Sequence, residues 1–139
     1  LKPLIKFDLD KNDSFYSIWN HENKKELLEA NCQNYALLDE YIKFCVKEIN
    51  EVMSAFKSCL KSYEWKPYCA KASSGVLTVT FINGVLNLIR LLIENNQLNG
   101  IDSYRDKLKS IDGFNIKQYK SSQYRRMGED IYNKYFTTK

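Results

Sequence analysis

One stretch, residues 73–94, constrains the fold of this chain more than any other. It reads SSGVLTVTFINGVLNLIRLLIE, and its apolar residues recur at the three- and four-residue spacing of a helix. A second face of the same helix is also apolar, so neighbouring segments must cover most of it. We therefore predict a buried central helix over residues 73–94, around which the rest of the chain packs.

A β-hairpin is the competing interpretation of this stretch. Residues 76–82 are rich in β-branched side chains, and the Asn83-Gly84 pair that follows is a strong hairpin turn signal. An isolated hairpin in a helical chain would lack sheet partners. We favour the helix, in which Gly84 would mark a kink or a close helix crossing.

A second, longer helix is predicted over residues 33–63. Its apolar positions alternate steps of four and three, which forms a heptad-like seam that a strand could not present. Such a helix packs lengthwise on its neighbours in a bundle, and a free-standing coiled coil is the alternative. The seam consists of Leu38, Ile42, Cys45, Ile49, Val52, Phe56, Cys59 and Tyr63.

The whole chain has 139 residues, which is near the commonest size of one domain. We predict an all-α fold: a single-domain helical bundle of about five helices. Residues 1–20 form an irregular N-terminal arm held by its aromatic side chains, and residues 21–139 form the bundle. Within the bundle, a short helix ends at Gly113, a last helix spans residues 115–136, and the final three residues fray.

Four cysteines, Cys32, Cys45, Cys59 and Cys69, form an even set that is typical of two disulfides in a secreted domain. Cys45 and Cys59 lie fourteen residues apart on one helix, about 21 Å at 1.5 Å per residue, and cannot bond each other. We predict a Cys59–Cys69 bridge, because the chain should reverse at Pro67. Cys32 would then pair with Cys45. The remaining pattern, 32 with 59 and 45 with 69, needs longer excursions, and the alternative to any bridge is four thiols in a reducing compartment.

The chain carries no signature of catalysis, a metal site or a cofactor. Its one histidine, His21, lies beside Glu22 in a polar segment without a matching nucleophile motif. Phosphate-binding loops, the esterase serine elbow and zinc-protease helices are absent from the sequence. We predict that the protein is not an enzyme.

The net charge of +4 is concentrated at the C-terminal end of the chain. Residues 114–139 hold six basic residues against two acidic ones, with tyrosines interleaved. The alternatives are a solvated helix face and a contact for an anionic glycan, an anionic membrane surface or an acidic partner. We expect no specific nucleic-acid binding, because no such motif occurs. The candidate contact residues are Lys117, Lys120, Arg125 and Arg126, and Trp19 and Trp65 are candidate interface anchors if exposed.

Three functional classes fit these features. The first is a secreted or surface-exposed helical protein that binds another protein, such as a parasite or viral factor acting on a host partner. The cysteines and the start at Leu1 without Met favour it. The second is a carrier of a small apolar ligand in a disulfide-stapled bundle. The third is an intracellular, cytoplasmic regulator that resembles apoptosis regulators in layout alone.

Overall fold

The structure is a computed structural model that describes residues 1–137. Within that range the chain forms helices and no β-strand, so the predicted all-α class is confirmed. No helix in these residues is long and apolar enough to cross a bilayer. The α-helices are α1 (Lys2–Ile5), α2 (Phe15–Ile18), α3 (Tyr35–Cys59), α4 (Val79–Glu94), α5 (Ile101–Leu108) and α6 (Tyr124–Ile131).

Short 3-10 turns and one π-helical turn connect and extend these helices. The 3-10 turns span Lys24–Leu28, Ser62–Glu64, Ile111–Gly113, Ile116–Gln118 and Ser121–Gln123, and the π-helical turn spans Tyr132–Phe136. The last two residues of the predicted bundle domain, Thr138 and Lys139, lie outside the described range.

The longest of these helices, α3, occupies most of the range predicted for it. The side chain of Asn34 caps its first turn by accepting a hydrogen bond from the Leu37 amide at 3.1 Å. The helix ends at Cys59, earlier than predicted, because Leu60 is extended. Its buried face includes Val52 and Phe56 from the seam, whereas Ile42 and Tyr63 are exposed.

The helix predicted as central, α4, begins at Val79 and not at residue 73. Thr78 caps it by accepting a hydrogen bond from the Phe81 amide at 3.0 Å. The preceding residues form a chain reversal in which Ser73 and Gly75 have φ values of 48° and 99°, and such left-handed residues cannot belong to an α-helix. The cap is therefore a threonine inside the apolar stretch.

The Asn83-Gly84 pair lies inside α4, so the hairpin alternative is wrong. Gly84 lies where α4 and α6 cross closely, because a Cβ atom built on it would lie 2.1 Å from Cε of Met127 in α6. Burial along α4 is uneven. Eight of its residues are buried from Phe81 to Ile93, whereas Val79 is 75% exposed.

The N-terminal arm packs on the beginning of α3. It contains two helical turns, α1 and α2, and buries Phe15, Tyr16 and Trp19. The hydroxyl of Tyr41 in α3 donates a hydrogen bond to the Ile5 carbonyl at 2.9 Å. These contacts hold the arm as an ordered part of the core.

The single helix predicted for residues 115–136 is wrong. Tyr119 and Lys120 are extended, and they separate the 3-10 turn at Ile116–Gln118 from the turn at Ser121–Gln123 that leads into α6. The chain therefore changes direction within the predicted helix. Its buried residues still include Ile116 and Ile131, as the apolar pattern predicted.

The predicted Cys59–Cys69 and Cys32–Cys45 disulfides are also wrong, because all four cysteines are free. The Cys59 thiol donates a hydrogen bond to the Arg105 carbonyl at 3.6 Å, which directs it toward α5. Cys69 is exposed in a turn where its backbone pairs with Ser74. Cys45 is buried ten residues into α3, whereas Cys32 lies three residues before that helix begins, and both thiols are free.

Candidate functional site

Lys117 connects the C-terminal segment to the chain reversal between α3 and α4. Its Nζ lies 2.8 Å from Oε2 of Glu64 and donates a hydrogen bond to the Ser73 carbonyl at 3.0 Å. The hydrogen bond from Lys117 lowers the pKa of the Glu64 carboxyl below its usual value. The bridge therefore brings together two segments that are separated by about fifty residues of sequence.

The chain reversal itself is tightly built by its backbone. The Val76 amide donates to the Glu64 carbonyl at 2.8 Å, and Cys69 and Ser74 exchange backbone hydrogen bonds at 2.8 and 3.3 Å. Gly75 is needed for the close approach of the two arms, because its Cβ would lie 2.3 Å from the Pro67 carbonyl oxygen. This geometry fixes the positions of the exposed residues that the reversal carries.

Two clefts flank the Lys117–Glu64 bridge and share Val76, Ile116 and Lys117 in their linings. The first has a volume of 340 Å³ and extends toward Lys61 and Asp112. The second has a volume of 310 Å³ and is lined by Tyr68, Thr78, Thr80, Phe81 and Tyr119. Each cleft thus combines apolar walls with a charged rim.

Exposed lysines and tyrosines line these clefts or lie on the chain segments that form them, and we name this set the lysine–tyrosine face. Its lysines outnumber the two carboxylates that adjoin them, Glu64 and Asp112, and Glu64 is already paired with Lys117. The face is therefore positive and suits an acidic ligand. It consists of Lys61, Tyr63, Lys66, Tyr68, Lys71, Lys117 and Lys120, all of them exposed.

The four basic residues predicted as an anionic contact do not form one stripe. Lys117 and Lys120 belong to the lysine–tyrosine face, but Arg125 and Arg126 follow the break before α6. The Arg125 guanidinium lies 5.8 Å from the ring of Tyr124, beside the N-terminal arm. Nε of Arg126 lies 3.7 Å from Oδ2 of Asp130 and lines a different cleft.

The two tryptophans are not exposed anchors. Trp19 is only 7% exposed, and its ring packs against Tyr41 at 5.1 Å between centroids. Trp65 is half-buried and meets Phe81 edge to face at 6.1 Å. Tyr63 was predicted as part of the heptad-like seam and Tyr68 was not singled out, yet both are exposed. The one sequence signal for them as contact residues was their position among the lysines at 61, 66 and 71.

His21 and Tyr119 each have polar side-chain partners. Nε2 of His21 lies 2.9 Å from Glu40, and its Nδ1 accepts a hydrogen bond from the Asn23 amide at 3.1 Å. The Tyr119 hydroxyl donates to Asp130 at 2.7 Å, and burial together with this bond raises the pKa of that hydroxyl. Residues 1–137 contain no cluster of three or more metal-ligating side chains.

Comparison with protein-family models, with curated proteins and with solved structures finds no match to this chain.

Proposed function

We propose that this protein binds another protein without catalysis, and that the lysine–tyrosine face is the contact. The occupant is an acidic segment that also carries bulky apolar side chains. The Lys117–Glu64 bridge carries the proposal, because it holds the two basic segments side by side with a cleft on each side. The scaffold that we propose is a helical bundle with α4 as its interior element.

The chemistry of the face supports this type of ligand. Clefts of 340 and 310 Å³ lie near the lower end of the roughly 300–1,000 Å³ range of ligand sites, which suits single side chains of a larger partner. Lysines on the rim attract an acidic partner and suppress the binding of basic ones. Exposed tyrosines such as Tyr63 and Tyr68 add amphipathic contact area at low entropic cost.

The predicted secreted or cell-surface location, and the role as a parasite or viral factor, remain predictions. Their main physical support was a pair of disulfides, and the four free thiols remove it. The apolar-ligand carrier has less support, since each of five clefts on the described surface includes a charged residue. The comparison with apoptosis regulators still depends on layout alone.

Site-specific photocrosslinking tests the proposal. Tyr68 is replaced by benzoylphenylalanine in the full chain, and the matched control carries the same group at Asp106, an exposed residue of α5. We expect a crosslink from position 68 to an acidic segment of one identified protein. We expect K66E/K71E/K120E to reduce it at least tenfold. The charge-matched control K11E/K25E/K109E, which alters exposed lysines elsewhere, should retain it.

Two outcomes would contradict the proposal. One is equal crosslinking from positions 68 and 106, or crosslinking at position 68 that the charge reversal leaves intact. The other is no protein crosslink together with binding to anionic vesicles or a sulfated polysaccharide that K66E/K71E/K120E abolishes. The second result would assign the face to an anionic surface.

A further inference from the structure

The outer side of α3 carries an apolar stripe that its own fold covers only in part. Tyr35 is 72% exposed, and Ile42 and Val46 are each 49% exposed. Three half-buried residues continue the stripe: Leu38, Ile49 and Met53. Successive members are three or four residues apart, so they share one helix face that runs about 27 Å along the axis.

The charges beside this stripe are arranged with opposite signs at its two ends. Asp39 and Lys57 are both exposed and lie eighteen residues apart, which is five turns of helix at 3.6 residues per turn. They therefore lie in line on the same border of the stripe. Asp39 has one exposed partner within the helix, Lys43 at 2.9 Å, and such surface pairs stabilise little.

We propose that this stripe binds a second copy of the chain, with the two α3 helices antiparallel across a two-fold axis between Val46 and Ile49. Antiparallel packing about this axis places Val46 of each copy against Ile49 of the other, and Ile42 against Met53. It also brings Asp39 of each copy within reach of the long Lys57 side chain of the other. A two-fold contact uses the same surface on both copies, and an antiparallel arrangement makes this surface complementary to itself.

In a parallel two-fold pair, the border that carries Asp39 and Lys57 would lie on opposite sides of the seam in the two copies, so neither residue would meet its oppositely charged counterpart. The order of charge along α3 thus selects both the occupant and its direction. The contact has six apolar side chains from each copy, fewer than the roughly 20–30 residues a side of a standard interface. Association is therefore weak and concentration-dependent.

This surface shares no residue with the lysine–tyrosine face, so the two proposals fail or succeed separately. Sedimentation velocity of the full chain tests the inference over about 10–500 μM, the range in which a small interface associates. We expect V46E, beside the axis, to weaken self-association at least tenfold. The control V79E places the same change at another exposed valine, on α4, and should dimerise like the parent.

A charge swap tests the direction of packing. D39K and K57D should each weaken the dimer several-fold, because each sets like charges against each other in the antiparallel arrangement. The double variant D39K/K57D should restore the parental affinity. Circular dichroism establishes that each variant is folded. A monomer at all concentrations, a dimer that V46E leaves intact, or a double variant weaker than both single variants would overturn the proposal.

Discussion

Gly128 of α6 lies directly across the backbone of Gly84 in α4. A Cβ atom on Gly128 would be 2.7 Å from the Gly84 carbonyl oxygen and 3.0 Å from the Leu88 amide nitrogen. Both neighbours are main-chain atoms, so neither can turn aside as a flexible side chain would. The backbones of the two helices are therefore in direct contact. This contact requires a residue without a Cβ atom at position 128.

Substitution of Gly128 by alanine should destabilise the protein. Alanine favours a helix by about 1 kcal/mol over glycine, but overpacking of a closed contact costs about 1–3 kcal/mol, and a clash with main-chain atoms belongs at the upper end of that range. We expect a net loss of about 1–2 kcal/mol in the free energy of unfolding, measured by urea denaturation. The control is G113A, because a Cβ on Gly113 meets no atom within 4 Å. Equal stability of the two variants would contradict the crossing.

Asn87 is the polar residue that links the same two helices. Its side-chain Nδ2 donates to the Arg125 carbonyl at 3.0 Å, and its Oδ1 accepts from Nε of Arg90 at 3.2 Å. Asn87→Ala should cost about 1–3 kcal/mol, because the Arg125 carbonyl loses its partner in a buried setting. Asn83→Ala, one turn earlier and half-buried, serves as the comparison. A loss no greater at position 87 than at 83 would show that the bond contributes nothing.

The Lys117–Glu64 bridge predicts a defined pH dependence. The pKa of Glu64 is lowered in the folded state, chiefly by its hydrogen bond from Lys117. The bridge therefore stabilises the fold above the unfolded-state pKa of about 4.3, and this contribution is lost as pH falls toward the lower folded-state value.

Lys117→Met should reduce the free energy of unfolding at pH 7 by about 0.5–1 kcal/mol, the range of partly exposed ion pairs. The difference between parent and variant should be smaller at pH 3, because Glu64 is by then protonated in the unfolded chain. Denaturation at the two pH values measures it. A difference that is the same at both pH values would place the effect of Lys117 elsewhere.

The thiols should differ sharply in reactivity. Cys69 is exposed, whereas burial raises the pKa of the Cys45 thiol to about 11. Because the thiolate is the reactive form, Cys69 should react with a disulfide reagent at pH 8 within minutes, and Cys45 only after unfolding. Mass spectrometry after timed labelling identifies each site. Fewer than four reactive thiols in the unfolded, unreduced protein would reveal a bridge and contradict the free cysteines.

The helical class and the two main helices could be predicted from the sequence, because they depend on local periodicity. The apolar spacing in α3 persists over seven turns, and no hairpin could bury it. The same periodicity predicted only approximately which face of α3 is buried. Ile42 and Val52 both belong to the heptad-like seam, but Val52 is buried and Ile42 is half exposed. Which side of a helix is covered depends on where its neighbours lie.

The sequence by itself also determined that the net positive charge is concentrated in the C-terminal segment, which includes Lys117 and Lys120. Tertiary structure decided which of those charges act together. The chain is extended at Tyr119 and Lys120, and this break ends the segment of Lys117 before α6, which carries Arg125 and Arg126. The Glu64 bond then brings Lys117 to a distant turn. Long-range pairing of this kind depends on the packed positions of two segments, and local spacing carries no information about those positions.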